Sequence, residues 1–189
     1  MYLVLEYIFF KINIDIILNW VYNFFMKNFY IFLDVDGVLF DYAWIKKNNK
    51  NINTMQKFKK ESIDALNYLI QSLEKKYNID LVIISTWRVY KFELLNNMLN
   101  KSGLKYNNDI HKTKDSNRPF IRGKEIKDYL KRKKNANNYV IIDDENFDYD
   151  KYFDKNRIIK PNIIDNALNM KMVQKFLDYI NDNTNELCN

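Results

Sequence analysis

From Phe29 to Leu33, five apolar or aromatic residues follow one another without a polar interruption. A run of this kind suits a strand buried on both faces, because a half-exposed strand alternates. Ile79 to Ile84, broken only by Asp80, and Tyr139 to Ile142 have the same character, and Arg157-Ile158-Ile159 reads as a short last strand. Between these runs the apolar spacing changes to three and four residues. Lys57 to Tyr77 carries Phe58, Ile63, Leu66, Leu69, Ile70 and Leu73, with Asn78 where a helix stop is expected. A second helix is expected over about Tyr90 to Lys101, closed by Ser102-Gly103. A third covers Arg122 to Lys133, with Ile126, Tyr129 and Leu130 facing inwards. The last covers Asn166 to Ile180, with Leu168, Met172, Phe176, Leu177 and Ile180 inside. Residues 41–56, rich in Lys and Asn, read as a loop, and 105–118 as irregular with a short strand near Ile110.

Strand and helix therefore alternate, which predicts an α/β fold: a Rossmann-like three-layer α/β/α arrangement around a mainly parallel sheet. One domain over residues 26–182 and a polar tail over 183–189 are expected. No internal repeat is evident.

Residues 1–25 stand apart. They are strongly apolar, but Glu6, Lys11 and Asp15 interrupt them. A spanning helix needs about 20 mostly apolar residues, and the uncharged run from Ile16 to Met26 is too short. A secretory signal would carry a basic start and a small-residue cleavage site, and neither is present. The segment reads as an extra amphipathic helix, a membrane-associating anchor, or upstream sequence ahead of a start at Met26.

Composition adds two constraints. The single cysteine, Cys188, excludes an intramolecular disulfide and fits a reducing, cytoplasmic setting. The net charge of +6 favours contact with polyanions such as nucleic acid, although the abundance of Asn, Lys, Ile, Tyr and Phe also matches A+T-rich codons.

The strand ends carry the candidate chemistry. Asp34-Val35-Asp36-Gly37 follows the first strand, Ser85-Thr86-Trp87-Arg88 the second, and Asp143-Asp144-Glu145 the one ending at Ile142. Ligand sites of open α/β sheets lie outside the carboxyl ends of the strands. Two carboxylates at one such end call for a hard cation such as Mg²⁺, or for a shared proton. Trp87 and Arg88 suit base stacking and phosphate binding, or else core packing and an ion pair at the sheet end. His111 is assigned no role. Lys131-Arg132-Lys133-Lys134 suits the negative pole of a helix, or nucleic-acid contact.

In this order the pieces resemble the haloacid dehalogenase (HAD) superfamily of phosphotransferases, over about residues 29–180. The resemblance implies that Asp34 is a nucleophile forming an aspartyl-phosphate, and Asp36 a general acid and base. Ser85, or Thr86 in its place, would bond the phosphoryl oxygens, and a basic residue opening the third helix, Arg122 or Lys124, would neutralise their charge. Asp143 and Asp144 would hold Mg²⁺ with Asp34 and the backbone carbonyl of Asp36, with Asp148 assisting. Ser-Thr-Trp-Arg, Lys112-Thr113, Arg122-Gly-Lys-Glu-Ile126 and Ile-Ile-Asp-Asp-Glu further resemble the subgroup in RNA-repair proteins, and the domain is similar to the 3′-phosphatase of phage polynucleotide kinases. Three glycines leave no Gly-rich kinase loop. The implied activity is Mg²⁺-dependent phosphomonoester hydrolysis at a site with a small or absent cap, on nucleotides or polynucleotide ends. The alternatives are a small-molecule nucleotidase and a non-catalytic binding protein of the same fold.

Overall fold

The computed structural model describes residues 26–51, 55–115, 121–133 and 136–185. The apolar N-terminal segment and Cys188 lie outside the described residues.

Five strands form one sheet: β1 (Lys27–Leu33), β2 (Tyr77–Ile83), β3 (His111–Lys112), β4 (Tyr139–Ile142) and β5 (Ile158–Ile159). Their order is β3-β2-β1-β4-β5, and every neighbouring pair is parallel. Six α-helices accompany them among the described residues: α1 (Tyr42–Lys47), α2 (Lys60–Glu74), α3 (Trp87–Tyr90), α4 (Phe92–Lys101), α5 (Arg122–Leu130) and α6 (Met170–Asn185). The unbroken apolar run of β1 has a direct cause. Phe29, Ile31 and Leu33 enter a core built with α2, α4 and α6, while Tyr30 and Phe32 enter a second core with Ile126, Tyr129 and Leu130 of α5. Each fully buried side chain of this size contributes about 1.5–3 kcal/mol. The result is the three-layer α/β architecture expected from the alternation.

The chain runs from β1 outward to β2 and β3, then returns to the other side of β1 for β4 and β5. This reversal opens a crevice at the carboxyl ends of β1 and β4. Asp34 and Asp143 are the first residues beyond those two strands. The Asp34 N–H donates to Ile142 O at 2.9 Å, and the Asp143 N–H to Ile159 O at 3.2 Å, so both backbones are still held by the ladder.

Several boundaries differ from the expectations; among them, the helix expected over Arg122 to Lys133 ends at Leu130, and the one expected from Asn166 begins at Met170. Residues 42–47 form α1, too short for periodicity to reveal; Asp41 caps it by accepting from Trp44 N at 2.7 Å, and also accepts from Lys59 Nζ at 2.6 Å. The second helix starts only at Lys60, because Phe58 N donates to Ser102 Oγ instead, and it ends by Glu74 so that Tyr77 and Asn78 can pair with Lys27 and Asn28. The helix expected from Tyr90 is two helices with Lys91 at the joint. The last helix continues past Ile180 to Asn185, since no Gly or Pro stops it. Among the described residues the segment between β1 and α2 carries one helix, α1, which is tied to the body by Tyr42 N→Ile163 O and Ala43 N→Ile164 O. No helix among the described residues is long and apolar enough to cross a membrane.

Candidate active site

After Leu33 the chain leaves the ladder with Asp34 almost fully buried, then turns sharply at Gly37. The turn is closed by Leu39 N→Val35 O at 2.9 Å. Asp36 projects to a different partner from Asp34: its Oδ2 accepts from Trp87 Nε1 at 3.0 Å. The two acids of Asp-x-Asp are therefore given separate surroundings by one short turn.

Across the crevice, Asp143 is fully buried. Its Oδ1 accepts from Glu145 N at 2.9 Å, and its Oδ2 from the Tyr149 hydroxyl at 2.6 Å. Arg122, the first residue of α5, reaches between the strands. Its Nη1 lies 3.0 Å from Asp34 Oδ1 and 2.5 Å from Asp143 Oδ2, and its guanidinium stacks on the Phe147 ring at 4.1 Å. One carboxylate oxygen each from Asp34, Asp143 and Asp144 fall within 4.8 Å of one another.

Burial and crowding raise the pKa values of Asp34, Asp36 and Asp144. Burial and the neighbouring Asp143 hold the Asp34 carboxyl well above the usual range, with Arg122 opposing them. Burial, then Asp143 and Glu145, push Asp144 up to about 6. Burial also raises Asp36, against the Trp87 hydrogen bond and the Lys91 charge. Burial alone would lower the Arg122 pKa; Asp34 and Asp143 outweigh it and raise it instead. One guanidinium cannot neutralise three converging carboxylates. Their hard oxygen donors are the chemistry that a small divalent cation takes, so these residues fit such an ion.

Gly37 is part of the same cradle. Its φ is +71°, and a Cβ there would stand 2.3 Å from the Asp144 carboxyl carbon. Gly37→Ala is expected to cost about 1–2 kcal/mol for the left-handed backbone alone and to displace Asp144. The prediction is a lower melting temperature and at least roughly ten-fold more divalent cation for half-maximal activity. Unchanged melting and unchanged cation titration would show that the turn has room to spare.

A family model for the HAD domain in Swiss Army Knife RNA repair proteins matches residues 30–168. The chain belongs to that family. No curated protein and no solved structure matches it. The matched region runs from within β1 to the entry of α6, so this HAD domain takes in β2 to β5, most of β1 and all the acids just described. Family membership supports phosphatase-type chemistry, and HAD domains generally use a divalent metal.

Within this HAD domain the residues expected from sequence are distributed unevenly. Asp34, Asp143, Asp144 and Arg122 converge. Ser85 lies buried at the end of β2, where Ile84 N still bonds Leu33 O, and its Oγ is 3.4 Å from Trp87 N; Thr86 is exposed beside it. Lys124 points elsewhere, pairing with Asp128 at 2.7 Å on the solvent face of α5. Asp148 is outside the acid group: its Oδ1 accepts from Gly123 N at 2.7 Å, steadying the α5 N-terminus that carries Arg122. Arg88 is buried. Its Nη1 bonds the carbonyls of Ile84 and Ser85, and its Nη2 pairs with Glu125 Oε2 at 2.7 Å, which ties α5 to the end of β2. Trp87 is likewise buried, packed near Phe58. His111 is exposed, 3.8 Å from Asp80. In the basic end of α5, Lys131 pairs with Asp128 and Lys133 lies over the Tyr129 ring, while Lys134 is outside the described residues.

Two contributors were not legible beforehand. Tyr149 has no signal beyond being an aromatic in an acidic loop. The Trp87 contact to Asp36 links residues 51 positions apart. For Arg122 a signal existed: it is four residues before Ile126 and so shares the inward face of α5, whereas Lys124 shares the face of Asp128.

Proposed function

We propose that this HAD domain is a divalent-cation-dependent phosphomonoesterase that works through an aspartyl-phosphate on Asp34, with polynucleotide ends as its substrate class. The observation that carries the reading is Arg122 bridging Asp34 and Asp143 at the topological switch point. A single guanidinium nitrogen there, Nη1, addresses both the nucleophile and a cation-binding acid of this reading.

In this reading a phosphoryl group enters between Asp34 and Ser85. Asp34 attacks phosphorus in line with the leaving oxygen, whose bond to phosphorus breaks as the bond to Asp34 forms. Asp36, held by Trp87, gives its proton to the leaving oxygen. It then removes a proton from the water that attacks the aspartyl-phosphate, and Asp34 is regenerated. Arg122 and the hydroxyls of Ser85 and Thr86 stabilise the charge on the equatorial oxygens. A Mg²⁺ ion held by Asp34, Asp143, Asp144 and the backbone carbonyl of Asp36 would neutralise the carboxylates and clamp the phosphate. Among the described residues between β1 and α2 the short α1 is the one helix, which favours an open site and a large substrate, and the net charge of +6 favours an anionic one. Hydrolysis of 3′-phosphorylated oligonucleotides should therefore exceed that of nucleoside monophosphates in a Mg²⁺-containing panel. The reverse order would favour a small-molecule nucleotidase.

Trp87→Phe tests the role of Asp36. It keeps a ring in the core but removes the N–H. A misplaced proton donor matters most for poor leaving groups, so turnover of an alkyl phosphate should fall about ten-fold more than that of p-nitrophenyl phosphate. Equal losses on the two substrates would assign Trp87 to packing alone.

A further inference from the structure

Tyr90 is 92 % exposed, more than any other large hydrophobic side chain among the described residues. Val89 and Leu94 beside it are 38 % and 50 % exposed. Single exposed apolar residues are ordinary, but three within six positions form a patch. It begins on α3, the short helix that follows Ser85-Thr86 directly and whose Trp87 donates to Asp36.

The patch is rigidly mounted. Arg88 clamps the carbonyls of Ile84 and Ser85, Val89 N donates to Thr86 O at 3.1 Å, and Lys91 N donates to Trp87 O at 2.9 Å. Ordering this turn for a ligand thus has little further entropic cost. Its surroundings are cationic. Lys91 Nζ lies 5.0 Å from the centre of the Trp87 ring, and the same indole donates to Asp36, so the Lys91 charge is felt at the proposed proton donor. Lys112 Nζ bonds the carbonyl of Arg88 at 3.1 Å on the β3 side. An exposed aromatic ring on a turn that carries one ammonium group, Lys91, and is bonded by a second, Lys112, matches a ligand that alternates planar rings with phosphates.

We propose that Tyr90 is the stacking platform for a nucleobase of a polynucleotide whose terminal phosphate lies at Asp34, with Lys91 and Lys112 meeting its adjoining phosphodiesters. The inference rests on the phosphomonoesterase reading above and assigns it a nucleic-acid subsite. It also gives the stacking role to Tyr90 in place of Trp87, whose ring is buried.

The test uses the full chain and a fluorescent single-stranded oligonucleotide carrying a 3′-phosphate, with a 5′-phosphorylated strand in parallel. Binding is followed by anisotropy on the Asp34→Asn background, and turnover on the Asp34-containing protein. Tyr90→Ala should weaken oligonucleotide binding about ten-fold or more, and Tyr90→Trp should restore it. The ratio of kcat/KM for the oligonucleotide to that for p-nitrophenyl phosphate should fall by a similar factor in Tyr90→Ala. Lys91→Gln should reduce the slope of log affinity against log salt by about 0.7. Unchanged oligonucleotide binding by Tyr90→Ala, or a change in oligomeric state in its place, would overturn the subsite. Failure of the unsubstituted protein to hydrolyse p-nitrophenyl phosphate would sink the phosphomonoesterase reading, whereas the binding arm judges Tyr90 on its own.

Discussion

An Asp34→Asn protein is expected to fold normally and to lose hydrolysis of p-nitrophenyl phosphate by roughly four orders of magnitude. Two independent features set that size. The substituted amide is a very poor nucleophile toward phosphorus, so the covalent route closes. The fold, in contrast, has little to lose. Asp34 is buried beside Asp143 with its pKa raised, so in the cation-free state its charge opposes folding. A neutral isostere relieves that repulsion, and Arg122 keeps its bond to Asp143. Melting of the metal-free variant should therefore match or exceed that of the unsubstituted protein. Near-normal turnover would remove Asp34 from the chemistry, and a collapsed melting curve would show that its charge holds the fold.

Arg122→Ala should have the opposite stability signature. It removes the one cation seen between Asp34 and Asp143 and leaves both carboxylates buried, a loss of about 3–5 kcal/mol for a broken buried pair. Activity should fall about 10²–10³-fold, the usual consequence of removing one preorganised charge stabiliser from an active site. Because the remaining defect is excess negative charge, added Mg²⁺ should raise the melting temperature of Arg122→Ala more than that of the unsubstituted protein. Arg122→Lys keeps the charge but not the planar guanidinium that lies over the Phe147 ring while its Nη1 meets both acids, so intermediate activity is expected. A Lys124→Ala variant serves as the comparison: Lys124 is paired with Asp128 on an exposed face, and its loss should have little effect on either measurement. If Lys124→Ala proved the more damaging, the basic residue would have been assigned to the wrong side of α5.

The contrast between these two residues shows where sequence reasoning reached its limit. The strands were legible because Phe29–Leu33 and Tyr139–Ile142 are apolar on both faces, and the acids were legible because they stand immediately beyond them. Asp34 and Asp143 meet because β1 and β4 are neighbours, and alternation alone does not specify that order. Arg122 and Lys124 are two residues apart near a helix start; the helical period puts Arg122 on the face of Ile126, and the packing of Ile126 and Tyr129 against the sheet turns that face inward. Asp148 looked like another ligand because it is an acid in an acidic loop. Its backbone-capping bond to Gly123 depends on that loop lying against the start of α5. Gly123 itself is constrained there, since a Cβ would come within 2.8 Å of Asp148 Oδ1. For Arg88 the sequence left phosphate binding and an ion pair at the sheet end both open, and its bonds to the Ile84 and Ser85 carbonyls and to Glu125 match the second.

The covalent step on Asp34 is the centre of the account, and rapid acid quenching tests it most directly. The protein would be mixed with Mg²⁺ and a 3′-phosphorylated oligonucleotide labelled in its terminal phosphate, quenched within one turnover, digested, and its peptides mapped. The account predicts acid-stable, base-labile label on the peptide containing Asp34, absent from Asp34→Asn. Continued turnover with no label on that peptide, or label on another residue, would contradict it.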